Sequence, residues 1–200
     1  MSMVTLVSGG LDSSLIAVMA KEAGVRQFPL FINYGQLCVA RELEACRIVM
    51  KTHGIVAPTV MDLHGFGETI PSGLTDRRRR ICEDAFLPGR NAILITAAAS
   101  YAYSVAAKSV AVGFLDERVR LFPDQSSKFL AALEESLTEA LGRRIRLLAP
   151  LMQMSKIDVL QLAEQRGIIR TYSCHLGEAQ PCGACVSCRE RDGAEAERRE

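Results

Sequence analysis

Residues 3–24 read MVTLVSGGLDSSLIAVMAKEAG, and this stretch constrains the fold more than any other. The apolar run at its start is too short for a buried helix. It ends in a turn of two glycines, an aspartate and three serines. Beyond the turn, Leu15, Ile16, Val18, Met19 and Ala23 fall at helical spacing. We therefore expect a strand over 3–8 and a helix over 13–24. A strand with no polar alternation is buried on both faces, which is the habit of parallel sheets.

The rest of the chain repeats the alternation. Strands are expected at 27–33, 58–63, 109–114 and 145–150, and helices at 39–54, 91–107, 124–141 and 155–166, with Gly54 closing the second helix. Strands alternating with helices give an α/β fold, a parallel sheet with flanking helices and right-handed crossovers. Ligands in such sheets lie beyond the carboxyl ends of the strands, so residues 8–14, 33–37 and 113–124 should share one site. Residues 64–89 are rich in glycine and proline and contain four arginines at 77–80. They read as a long lid-like loop. Its arginines form a solvated face, with a grip on phosphate upon closure as the alternative. We expect an α/β domain over 1–170, a cysteine-rich element over 171–191 and a charged, frayed tail over 192–200.

Composition excludes several classes. The formal net charge is +1 across 200 residues, and there is no tryptophan. Global charge gives no argument for nucleic acid or anionic lipid, and a base-stacking surface is disfavoured. The most apolar segment, residues 92–107, is short and hydroxylated for a bilayer span. The chain enters its first strand without a basic leader, so a soluble cytoplasmic protein with no membrane partner is expected.

The string SGGLDSS lacks the lysine that ends a Walker loop, and it is not the dinucleotide GxGxxG. It offers backbone N–H groups at a helix N-terminus and the hydroxyls of Ser8, Ser13 and Ser14. That suits a pyrophosphate or a nucleotide α-phosphate, with Asp12 poised to hold Mg²⁺ against those oxygens. A plain helix cap and turn is the alternative.

Of seven cysteines, Cys38, Cys46 and Cys82 are scattered. Cys174, Cys182, Cys185 and Cys188 are spaced C-x7-C-x2-C-x2-C within a polar, turn-rich segment. An odd count with a tight cluster points to a reduced compartment and a metal. Four thiolates close a tetrahedral Zn²⁺ shell, which makes the site structural; a [4Fe–4S] cluster takes the same ligands, and a redox CxxC is the third reading. His175 reads as a bystander.

The loop resembles the PP-loop of the ATP pyrophosphatase superfamily. Together with NYGQ (33–36), LTD (74–76), LPGRNAILITAAASYAY (87–103), VGF (112–114), FPD (122–124), APLMQMSK (149–156) and the cysteine cluster, the chain resembles the 7-cyano-7-deazaguanine synthase family from residue 3 to about 191. The resemblance implies the PP-loop fold of the adenine nucleotide alpha hydrolase type. It implies ATP-dependent activation of 7-carboxy-7-deazaguanine, with ammonia giving an amide and a second activation giving the nitrile, preQ0. By motif, Ser8, Gly9, Gly10, Leu11, Asp12, Ser13 and Ser14 would bind ATP phosphates. Tyr34, Gly35, Gln36 and Asn91 would lie near the nucleotide. Arg90 would face the reacting group, and Lys156 would reach the phosphates or the adenylate. Relatives are often homodimers.

The sequence also departs from that pattern. Asn33 stands where the family carries an acid, and Leu37-Cys38 where it carries a basic pair. In the loop after the fourth strand, DERVRLFPDQ (116–125) replaces a segment with an Asp-aromatic-Ser-Gly core. Asp116, Arg118, Arg120 and Asp124 are the residues expected over the acceptor substrate. Either the two arginines point to solvent or the acceptor has changed. In the second case the activated group would pass to an amine on a protein or nucleic acid. The chain ends soon after the cluster, where many relatives carry a further segment.

Overall fold

The computed structural model describes residues 2–116, 118 and 121–198. Strand β1 (Ser2–Leu6) lies at the centre of a five-stranded sheet of order β3-β2-β1-β4-β5, with β2 Arg26–Asn33, β3 Thr59–Asp62, β4 Ser109–Ala111 and β5 Arg146–Leu148. All neighbours pair in parallel. The chain winds outward through β2 and β3, then returns across the centre to β4. The switch point therefore falls between β1 and β4, where the two crossovers diverge and leave a crevice.

The alternation of side chains along each strand explains the two cores. Met3 and Val7 of the first strand and its exit, Phe31 of β2 and Ala111 of β4 face helices α1 (Leu11–Glu22), α2 (Val39–Thr52) and α6 (Lys156–Gln165). Val4, Leu30, Ile32 and Val110 face α4 (Arg90–Ser104) and α5 (Ser127–Leu141). Alanines 98, 99 and 102 of α4 are fully buried, so this helix packs close against the sheet. On the edge strand β5, the Leu147 N–H donates to Glu134 of α5 at 2.7 Å, which satisfies a group that would otherwise be open to another strand.

Three expected stretches differ. The loop 64–89 contains a short helix, α3 (Gly65–Thr69), followed by turns. Its four arginines are each paired, Arg77 with Glu178, Arg78 with Asp76, Arg79 with Asp84 and Arg80 with Glu83, so they form an exposed charged face. The helix expected from 124 begins at Ser127, because Ser126 is extended and its hydroxyl accepts from the Phe129 N–H; a 3-10 turn at Pro123–Gln125 precedes it. Residues 192–197 of the expected charged tail are instead the second half of a helix, α7 (Val186–Glu197). Ala194 is buried, and Arg198 pairs with Glu164 of α6. Among the described residues, no helix is long and apolar enough to cross a membrane.

Candidate active site

The turn after β1 is shaped by what lies behind it. Gly9 has φ +79°, and a Cβ there would sit 2.2 Å from the Glu42 carbonyl oxygen and 2.9 Å from the Cys46 nitrogen of α2. Only glycine fits that approach. Gly113, beyond β4, approaches from the other side, where a Cβ would lie 3.3 Å from the Ser13 nitrogen. The loop is thus clamped between α2 and the β4 exit. Ser13 stitches it internally: its hydroxyl accepts from the Ser8 N–H at 3.1 Å and lies 3.1 Å from the Ser8 hydroxyl. Helix α1 starts at Leu11, after an N-cap, Gly10, that supplies no side-chain cap. The N–H groups of its first turn therefore open toward the crevice, which is the arrangement that receives an anion. Ser14 Oγ is buried without a partner among the described residues.

A cavity of about 310 Å³ opens above this turn. Ser8, Gly10, Leu11, Asp12 and Ser13 line it together with Tyr34, Gln36, Arg90, Asn91 and Lys156. Gly9, Ser14 and Gly35 lie behind the wall. Lys156 is the first residue of α6, and its Nζ stands 2.6 Å from Asp12 Oδ1, with both side chains largely buried. A lysine opposes the dipole at a helix N-terminus, so helix stability does not account for its position. Ser155 compensates by capping α6, accepting from the Asp158 N–H while Asp158 accepts from Ser155.

The opposite wall comes from the exit of β2. Gln36 is buried and bonded on three sides: its Oε1 accepts from the Tyr34 N–H, and its Nε2 donates to Ile32 O and to Glu42 Oε2 at 3.1 Å. Arg90, at the start of α4, lies 5.9 Å from the Tyr34 ring centroid in cation–π geometry. Burial raises the Tyr34 phenol, against the pull of Arg90. Burial also raises the Glu42 carboxyl, opposed by Gln36, the Cys38 thiol and Arg90. Burial and Arg90 hold the His175 imidazole near 4, so it is neutral at physiological pH.

The third wall belongs to the cysteine-rich element. Tyr172, Ser173 and His175 flank its first cysteine, and Val186, Ser187 and Glu190 of α7 flank its last; all six line the cavity. The ligand sulfurs of Cys174, Cys182, Cys185 and Cys188 lie within 4.8 Å of one another. A Zn–S bond of about 2.3 Å implies tetrahedral edges of roughly 3.8 Å, so a small contraction closes the shell. The Cys182 and Cys185 N–H groups donate to Cys174 Sγ at 3.4 Å and Cys182 Sγ at 3.3 Å, bonds that favour thiolates. The donor set fits a bound metal.

The family described as Queuosine biosynthesis protein QueC matches residues 2–198. The chain belongs to this family. Curated relatives named 7-cyano-7-deazaguanine synthase include one from Oceanobacillus iheyensis, 31% identical, with 94% of this chain and 90% of the relative covered. One from Prochlorococcus marinus is 33% identical with 96% and 92% covered, and one from Methanosphaerula palustris is 32% identical with 98% and 95% covered. Two solved structures share the fold. A U34-tRNA thiolase, NcsA, from Methanococcus maripaludis with its [4Fe-4S] cluster has a TM-score of 0.59 at 15% identity, covering 99% of this chain and 65% of that one. A predicted subunit of tRNA methyltransferase from Methanocaldococcus jannaschii has a TM-score of 0.57 at 21% identity, covering 82% and 74%.

Within this QueC-family chain, the departures from the sequence pattern have local explanations. Asn33 replaces an acid but closes the turn itself, accepting from the Gly35 N–H and donating to Asp62. Arg118 does not enter the cavity. It is exposed and folds back on Asp116, whose carboxyl it holds at about 2. Asp116 and Asp124 also lie outside the lining, and Arg120 lies outside the described residues. Asp124 instead supports Asn91, accepting through its carbonyl at 3.3 Å. From this loop, Leu121, Phe122 and Gln125 line the cavity. Glu42, His175 and Glu190 line it too, without having been singled out as site residues. The one signal for Glu42 was its place on the first turn of a helix leaving NYGQ, next to the expected nucleotide loop.

Proposed function

We propose that this chain is an ATP-dependent synthase that converts 7-carboxy-7-deazaguanine and ammonia into 7-cyano-7-deazaguanine. The observation that carries the reading is one cavity that joins the open turn of α1, the Asp12–Lys156 pair and Arg90. It is supported by family membership and by the names of the curated relatives.

A carboxylate is a poor electrophile because its leaving group would be oxide. In the proposed reaction a substrate carboxylate oxygen attacks the ATP α-phosphorus and pyrophosphate leaves. Ammonia then attacks the acyl carbon and AMP leaves, giving the amide. The amide oxygen attacks a second α-phosphorus, and loss of AMP with the remaining nitrogen protons gives the nitrile. Ser8, Ser13 and the N–H groups after Gly10 hold phosphate oxygens. Lys156 neutralises charge as it builds on the pyrophosphate. Arg90 orients the substrate carboxylate against Tyr34, so that little freedom is lost in the step itself. Tyr34, Gln36 and Asn91 shape the nucleotide side. One carboxylate plus substrate phosphates is a usual environment for Mg²⁺, which Asp12 would hold and which would supply charge neutralisation. Zn²⁺ on the four cysteines would be structural, because no ligand position remains open. Ammonia is the acceptor in this reading: Arg118, one of the two arginines that suggested another, is exposed, paired with Asp116 and outside the cavity lining.

Incubation of the purified protein with the acid, ATP, Mg²⁺ and ammonium, followed by mass spectrometry, tests the reading. We expect nitrile and AMP. ATP turnover to ADP, or no nitrile with any ammonium concentration, would sink it.

A further inference from the structure

Three carboxylates line the cavity: Asp12, Glu42 and Glu190. Asp12 is bound to Lys156, and Glu190 of α7, the most exposed of the three, has its carboxyl raised by burial and feels the Lys156–Asp12 pair. Glu42 is different. It is half-buried on the first turn of α2, and its side-chain partners are the Gln36 amide and the Cys38 thiol, both neutral donors. Among the described residues no cation stands within ion-pair distance of it, although Arg90 of α4 is near enough to act on its charge. The contact that fixes α2 to the phosphate turn is made by the Glu42 carbonyl against Gly9, not by the carboxyl. The carboxyl is therefore held at a set place beside the turn without being consumed in holding it.

We propose that Glu42 accepts the proton that leaves the substrate nitrogen as the nitrile forms. This rests on the function proposed above, in which the activated carbon lies by Arg90. The balance is simple. The N–H electron pair becomes the last C–N bond, the C–O bond electrons leave with AMP, and the proton passes to the Glu42 carboxylate. Three other titratable groups feel its charge: Tyr34 of the β2 exit, and Cys38 and Cys46 of α2. Burial raises all three, Cys46 to about 12, so they stay neutral over the working range. Burial raises the Glu190 carboxyl as well, but Lys156 and Asp12 act on that group, so the pH limb that belongs to Glu42 is the one Glu42→Gln removes. Burial raises the Glu42 carboxyl, the base form exists above that raised value, and the rate climbs as pH rises through it.

The test feeds the amide and ATP directly and follows nitrile and pyrophosphate against pH. For Glu42→Gln we expect kcat to fall roughly 100-fold and the acid limb to vanish, while KM for ATP stays within about threefold. Glu42→Asp, which keeps a base on a shorter stem, should recover part of the rate and the limb. A Gln variant that forms nitrile at the wild-type rate with the wild-type pH profile overturns the proposal. So does one whose whole loss is in KM for ATP, since that marks a positioning role. If the Gln variant does not fold, a Glu42→Asp enzyme with an unshifted rate and profile overturns it equally. A wild-type enzyme that makes no nitrile defeats the underlying function, whereas normal wild-type turnover with an indifferent Gln variant defeats this step alone.

Discussion

Two positions bear most of the account at the residue scale. A methyl group at Gly9 must push into the backbone of α2, and φ +79° is unfavourable for alanine besides. Gly9→Ala should cost roughly 3 kcal/mol of stability and weaken ATP binding; thermal melting with and without ATP checks both. Lys156→Met keeps the stem that packs on the cavity and removes the charge. It should lower kcat for pyrophosphate release about 100-fold or more while the melting temperature changes little, as steady-state kinetics and calorimetry would show. The types of these residues were legible in SGGLDSS and PLMQMSK. Their pairing was not, because Asp12 and Lys156 are 144 positions apart and only the closed sheet brings them together. Glu42 was less legible still: a glutamate in an amphipathic helix looks like any solvated charge until the Gly9 contact shows which way α2 is turned.

The cysteine-rich element illustrates the same limits one scale up. Its ligand spacing was plain in the sequence, yet residues 192–200 read as a frayed charged end. Residues 192–197 are helical because α7 is N-capped at Cys185, within the four-cysteine cluster, and because Ala194 is buried and Arg198 ties the end of the helix to α6. Neither cause is local to the composition. The element also has a consequence for the cavity, since Val186, Ser187 and Glu190 stand on the first turns of that helix. Cys185→Ser, or removal of the metal by a chelator, should therefore raise KM for ATP as well as lower the melting temperature, and metal analysis should find zinc at close to one per chain. Iron with acid-labile sulfide in its place would identify the alternative cluster, which the same thiolates accommodate. The substrate loop shows the opposite case. The sequence placed 113–124 over the site, but it could not tell that Arg118 would be captured by Asp116 two residues away, leaving Leu121, Phe122 and Gln125 to face inward.

For the whole molecule, the alternation of apolar runs and helical spacings dictated a parallel sheet, but the order β3-β2-β1-β4-β5 was not legible, because right-handed crossovers permit several orders and only the packing of helices on the two faces selects one. That order puts the first loop of the chain at the switch point, so the SGGLDSS string near the N-terminus lies at the centre of the site rather than at an edge. In the proposed function this centre activates an oxygen of a carboxylate by transfer of an adenylyl group. The most direct measurement uses 7-carboxy-7-deazaguanine labelled with ¹⁸O in both carboxylate oxygens, with ATP and ammonium. Each activation removes one substrate oxygen on phosphorus, so we expect every AMP released to carry one ¹⁸O, two AMP per nitrile, and no label left in the nitrile. Unlabelled AMP, or label recovered in inorganic phosphate with ADP as the nucleotide product, would contradict it.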